Sequence, residues 1–304
     1  MRIAESAALN GYGSETYAQT LTHIGTPIWC AESQMFALRR PIPHSELEDL
    51  MGLYPMIRPL NWNALMADLA KLSDEFVSFV GVSDPMRCTD WHEIERENLR
   101  CTAYKQHYVA DLSTYLSEPQ SSTTVRNVEF ARQACQVREV DPTAGVHAFH
   151  ELYQSLKSKT GTLGSADFSL GQLCKQSEIP GTRLFVALNE SAAIGAIWVF
   201  VEGETAYFHL AAYNQAGYDA RAGYALMHHA YQSLVSDGIR YAHLGGVPGE
   251  FGDEQNPLAE FKRRWSTETR TAFLIQVILK PEIYAQLSEG ATTPFFPAYR
   301  GRCS

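Results

Sequence analysis

Residues 183–213 read RLFVALNESAAIGAIWVFVEGETAYFHLAAY, and three strands fall out of them. RLFVALN (183–189) and AAIGAIWVFVEG (192–203) are apolar runs rich in β-branched and aromatic residues, with Asn189, Glu190 and Ser191 between them as a hairpin loop. TAYFHLAAY (205–213) predicts a third strand, with Tyr207, His209 and Ala211 on one face and Phe208, Leu210 and Ala212 on the other. Working outward, YDARAGYALMHHAYQSLVSDG (218–238) repeats Ala222, Leu226, Ala230 and Leu234 every four residues and stops at Gly238, which predicts one helix. IRYAHLGG (239–246) predicts a strand after it, and TAFLIQVIL (271–279), ended by Pro281, a last one. Upstream, TTVRNVEFARQAC (123–135) predicts a helix and QVREV (136–140) a strand. AGVHAFHELYQSLKSKT (144–160) then sets Val146, Phe149, Leu152, Tyr153 and Leu156 on one helical stripe. This order packs naturally as an α/β (α+β) fold, a mixed twisted sheet flanked by helices on both faces.

The chain of 304 residues has room for about two domains with their own cores. Before residue 115 short apolar runs alternate with turn signals (TPIWC, QMFALRRPIP, SDEFVSFVGVSDP), and Phe76 to Val82 and residues 104–112 are strand candidates. The polar stretch SEPQSSTTVRN, with Pro119, marks the boundary, giving domains 1–115 and 116–280. Composition is 45% hydrophobic and 19% charged with a net charge of −9, which argues against a chain coated in nucleic acid and leaves room for a local basic patch. The N-terminal MRIAESAALNGYG has no apolar core of a leader, and no run reaches the roughly 18 apolar residues of a membrane span, so a cytoplasmic location is expected. Cys30, Cys88, Cys101, Cys135, Cys174 and Cys303 are scattered without a C-x-x-C pair and read as reduced thiols.

The chemistry-bearing candidates gather late in the chain. NPLAEFKRRW (256–265) opens like a helix, with Asn256 as N-cap and Pro257 at the first position. Leu258, Phe261 and Trp265 recur at core spacing, so Lys262, Arg263 and Arg264 are either a solvated face or a functional basic cluster. The preceding loop, GGVPGEFGDEQNP (245–257), follows a strand, and in open α/β sheets ligands sit outside such strand ends. Gly245 and Gly246 there either let a ligand approach backbone amides or form a mobile turn. His209, ordinarily near pKa 6.5, is either a proton acceptor or a satisfied core histidine, while Tyr207 and Tyr213 line or end the same strand. No metal is expected, because His228 and His229 point about 100° apart on a helix and no third ligand has sensible spacing. There is no P-loop, G-x-S-x-G elbow or dinucleotide fingerprint.

Taken together, TTVRNVEFARQACQVREV, the hairpin and central strand of 184–213, GYALMHHAYQSLVSDGIRYAHLGGVPG and FKRRW resemble the Fem-type aminoacyl (peptidyl) transferases of the GNAT acyltransferase superfamily. The resemblance covers about 116–280 well and the first 115 residues weakly. It implies tandem GNAT-like domains, a degenerate first and a catalytic second, with 281–304 packing back on the first. It implies amide-forming transfer of an amino acid from aminoacyl-tRNA to the amine of a peptide or peptidoglycan-precursor-like acceptor, by a monomer needing no cofactor. Lys262, matching the family's Phe-Lys pair, is then the oxyanion-stabilising cation. Phe261, Arg263, Arg264, Gly245 and Gly246 would meet the donor, Tyr207, Tyr213 and Arg221 the acceptor. The alternative donor is an acyl-CoA, whose pyrophosphate sits on a glycine-rich turn at a helix N-terminus. YDARAGYAL has one glycine there, Gly223, and three or more free amides at 217–224 would favour coenzyme A.

Overall fold

The computed structural model describes residues 9–87, 92, 94–96, 98–117, 120–161, 164–247 and 257–302. The chain forms two compact units, Met1–Tyr104 with Thr271–Ser304, and Lys105–Arg270. Among the described residues no helix is long and apolar enough to cross a membrane.

In the first unit, helix α1 (Glu15–Gln19) is capped by Ser14, whose hydroxyl accepts from the Tyr17 amide. Strands β1 (Thr26–Cys30), β2 (Met35–Pro41) and β3 (Glu48–Gly52) form an antiparallel meander. Helix α2 (Leu65–Lys71) crosses over, and β4 (Phe76–Val82) returns parallel to β3. β5 (Ile94–Arg96) pairs with the start of β6 (Leu99–Asp111). The strand beside β4 comes from far down the chain: β12 (Glu268–Ile278), antiparallel. Phe76 and Phe79 of β4 and Ile275 and Val277 of β12 share a core with Leu50 and Leu69. After α10 (Pro281–Ser288), the Tyr299 hydroxyl donates to Asp49 at 3.0 Å and lies 2.8 Å from Ser78 Oγ. Arg300 grips both oxygens of Asp49 at 2.7 and 3.0 Å, and Arg40 adds a third contact at 2.9 Å. Asp49 is wholly buried, so these charged donors replace the water it has lost.

The second unit takes the last residues of β6, then α3 (Leu112–Ser117), α4 (Ser122–Ala134), β7 (Gln136–Val140), α5 (Pro142–Thr160) and α6 (Leu170–Ser177). It continues with β8 (Thr182–Asn189), β9 (Ala192–Glu202), β10 (Thr205–Tyr213), α7 (Gln215–Asp219), α8 (Ala222–Ser236), β11 (Tyr241–Gly245) and α9 (Pro257–Arg264). β7 to β10 are antiparallel neighbours in sequence order; β11 lies parallel to β10, and the end of β6 antiparallel to β11. β9 alternates between the two layers: Ile197 and Val199 meet the α8 stripe of Ala222, Leu226, Ala230 and Leu234, while Trp198 meets Phe149 of α5. All four residues of that stripe are fully buried, which is what their four-residue spacing requires.

Two expectations are corrected, and one helix is added. The single helix over 218–238 is two, because Arg221 takes the left-handed conformation (φ 53°, ψ 34°) and breaks it. Strict alternation along 205–213 fails at a bulge on His209: Phe208 faces Val199, Leu210 faces Trp198, and the residue between them is unpaired with β9. Helix α6 escaped the periodicity reading, although its capping box of Ser169 and Gln172 stands in the sequence. Cys30, Cys101 and Cys135 are buried free thiols and Cys174 a half-buried one; Cys88 and Cys303 lie outside the described residues, as do positions 248–256 of the glycine-rich loop, including the proposed N-cap Asn256.

Candidate active site

β10 and β11 pair only through Thr205↔Tyr241, Ala206↔Ala242 and Tyr207↔His243. Past that point β10 bulges and runs on to Tyr213, β11 ends at Gly245, and a cavity of about 630 Å³ occupies the space the ladder vacates. Phe208, His209 and Leu210 around the bulge all line it, with Leu244 of β11, Tyr224 and Met227 of α8, and Phe261 and Lys262 of α9. The α8 side is tight: a Cβ on Gly223 would sit 3.3 Å from the Tyr213 hydroxyl and 3.5 Å from Phe261.

Helix α9 is anchored at its C-terminal end by aromatic side chains. Trp265 is buried and stacks on Tyr115. Tyr231 donates to Trp265 O at 2.5 Å and Tyr115 to Arg264 O at 3.2 Å, satisfying carbonyls that a helix end leaves open. That anchoring sets Lys262 on the cavity wall, where Nζ donates to Gly246 O at 2.5 Å. Burial, helped by the charge of Lys105, pushes the Lys262 ammonium down to about 7. Lys105 itself donates to the next carbonyl, Val247 O, at 2.8 Å. Two lysines thus converge on the backbone leaving β11. Arg263 is exposed, and Arg264 pairs with Glu260 one turn back on α9.

His209 lines the cavity in another capacity. Its ring stacks on Phe200 with centroids 4.8 Å apart, and its Nε2 lies 3.0 Å from Gln176 Oε1. A carbonyl oxygen only accepts, so Nε2 carries the proton, and burial holds the ring's pKa down to about 3. A base that weak draws little proton from an amine at neutral pH. Tyr213 and Arg221 also line the cavity; burial first, then Tyr218, raises the Tyr213 hydroxyl, and Arg221 donates to Asn127 at 2.5 Å with its guanidinium over Phe130. Tyr207 stands apart: it is 1% exposed and packs on buried His243, its partner in the last paired rung.

Residues 124–263 match the family model described as acetyltransferase (GNAT) domain. This stretch is a GNAT acyltransferase domain. No curated protein matches the chain. Among solved structures, that of FemX superposes with a TM-score of 0.64 at 11% identity, covering 92% of this chain and 95% of that one. The C-terminal domain of a protein assigned as a lysylphosphatidylglycerol synthetase, from Agrobacterium fabrum, gives 0.61 at 12% identity over 86% and 87%. L-PGS from Bacillus licheniformis gives 0.58 at 12% over 88% and 87%. At such identities the likeness is one of fold, and the fold is the Fem-like tandem GNAT arrangement.

Within the GNAT domain the turn before α8 spends its amides on itself. Gly217 N donates to Asn214 Oδ1, Tyr218 N to Asn214 O, Ala220 N to Ala216 O, Arg221 N to Tyr218 O and Tyr224 N to Arg221 O. Ala222 and Gly223 remain at the start of the helix. Sequence reasoning missed Lys105 and the buried pair His107 Nδ1 and His243 Nε2, 2.8 Å apart beside Gly246. Period-2 spacing on β6 and β11 was the available signal; nothing local ties Lys105 to Lys262, which follows it by more than half the chain.

Proposed function

We propose that this acyltransferase moves an amino acid from aminoacyl-tRNA to the amine of a peptide or peptidoglycan-precursor-like acceptor. The observation that carries this is the placement of Lys262: a single amine on the wall of a mostly apolar cavity at the parted ends of β10 and β11. An activated ester and an amine held in line need little covalent help, since positioning alone supplies up to roughly 7–11 kcal/mol of the barrier. The amine nitrogen attacks the ester carbonyl, a C–N bond forms and the C–O bond to the ribose breaks. The amine's surplus proton ends on the ribose hydroxyl that leaves. Lys262, when protonated, is the cation for the oxyanion formed between these steps, and a polyanionic donor beside it favours that protonated form. Exposed Arg263 is suited to donor phosphate.

The state of the 214–224 turn supports this donor over an acyl-CoA. A pyrophosphate needs several converging amides, and five of them are already engaged. The mostly apolar wall is the feature an acyl-CoA reading retains. The test offers the purified chain labelled aminoacyl-tRNA and acetyl-CoA in parallel, with a panel of amines. Transfer from the tRNA alone is expected; transfer from acetyl-CoA alone would falsify the tRNA reading.

A further inference from the structure

The cavity wall contains no carboxylate among the described residues; its ionisable members are Lys262, Arg221, His209 and tyrosines. The remainder is largely aliphatic or aromatic, including Leu156, Leu210, Met227, Leu244 and Phe261. Lys262 occupies one point of this wall and marks where a reacting carbonyl lies. A group attached to that carbonyl would meet the apolar members of the same wall, Leu210, Met227 and Leu244 among them. A cationic side chain there would lose its water, gain no counter-charge from the described residues and share the cavity with Lys262 and Arg221. A very small one would leave the apolar wall uncovered.

We infer that the cavity receives the side chain of the transferred aminoacyl group and selects an aliphatic or aromatic one, such as leucyl or phenylalanyl, over lysyl or alanyl. The inference rests on the aminoacyl-tRNA reading above and adds the identity class of what is carried. It also separates this chain from a lysyl-transferring protein, despite the shared fold.

Binding tests it without knowledge of the acceptor. One tRNA body carries leucyl, phenylalanyl, alanyl or lysyl through a non-hydrolysable 3′-amide, and each is competed for the full chain against the uncharged tRNA. Leucyl and phenylalanyl forms should bind at least roughly 10-fold tighter than alanyl and roughly 10²-fold tighter than lysyl, the range that missing methylenes and an unpaired buried charge produce. Equal affinity across charged forms, or a preference for lysyl or alanyl, overturns the inference while leaving the donor reading in place. Absence of binding to any tRNA by protein with a native circular dichroism spectrum overturns both. A second arm uses Leu210→Glu and the isosteric control Leu210→Gln. The carboxylate should raise lysyl affinity relative to leucyl more than the amide does. An unchanged ratio in folded Leu210→Glu counts against this cavity as the selector.

Discussion

Both units set a parallel strand pair at the same place in their sheets, and they treat it in opposite ways. In the first, β1, β2 and β3 are antiparallel, β4 is parallel to β3, and β12 is antiparallel to β4. In the second, β8, β9 and β10 are antiparallel, β11 is parallel to β10, and β6 is antiparallel to β11. Where β3 ends at Gly52, the chain doubles back, Ile57 bridges to Ser83, and its Cγ2 lies where any Cβ on Gly52 would be, 2.0 Å away. Next to it Arg58 and Asp84, 3% and 0% exposed, form an ion pair at 3.1 Å. The first unit's crevice is therefore filled by its own chain. In the second, the crossover after β10 passes through α7 and the 15-residue α8, β10 bulges past its last rung with β11, and the space stays open beside Lys262. One topology yields a sealed scaffold or a site, according to what the crossover deposits at the strand ends.

The largest expected effect comes from the open side. Lys262→Met should lower aminoacyl transfer by roughly 10²–10³-fold, with an unchanged circular dichroism spectrum, if the amine meets the oxyanion. An unaltered rate would remove it from the mechanism. On the sealed side, Ile57→Ala should destabilise the fold by about 2–5 kcal/mol in urea titration, while the folded fraction keeps wild-type transfer. Loss of transfer beyond loss of folded protein would break the contrast between the units. Filling the open gap is the next smaller change. Gly223→Met pushes a side chain between Tyr213 and Phe261 and should cut transfer by about 10-fold, with a stability cost of about 1–3 kcal/mol in urea titration.

The smallest effects are in pH. Lys262 loses its proton through about pH 7, so transfer that depends on the cation declines as pH rises past that value. Lys105→Met removes a repelling charge and should move the decline upward; a downward shift would contradict the pairing of the two lysines. The same group acts on stability with a definite sign. Unfolded lysine holds its proton to about 10.5, so between about 7 and 10.5 the unfolded state binds more protons and stability rises with pH. The Tm advantage of Lys262→Met over wild type should accordingly shrink across that window.

Much of the second unit was legible because its elements are locally marked. The hairpin, the α8 stripe and the stripe of Val146, Phe149, Leu152 and Tyr153 on α5 each depend on residues a few positions apart, and the described strands follow them within a few residues. The first unit was harder to read, since its strands are short and β12 reaches it only after the whole second unit has passed. Of the candidate residues, Lys262, Phe261, His209, Tyr213 and Arg221 line one cavity, whereas Tyr207 is packed away and Arg264 is taken by Glu260. A histidine in an apolar strand looks the same whether or not it will be enclosed; only Gln176 and Phe200, brought in from other elements, decide that His209 is neutral.

Sequence alone determined the local order of elements, the α8 core stripe and the Phe-Lys pair on a short helix, because periodicity, caps and turn residues act over one or two turns. Tertiary structure decided that β10 and β11 part after three rungs, that Lys105 and Lys262 converge on the consecutive carbonyls of Val247 and Gly246, and that Ile57 seals the other crevice. Those outcomes depend on bulges, burial and charge proximity between residues distant in the chain, and such interactions exist only once the fold has brought the residues together.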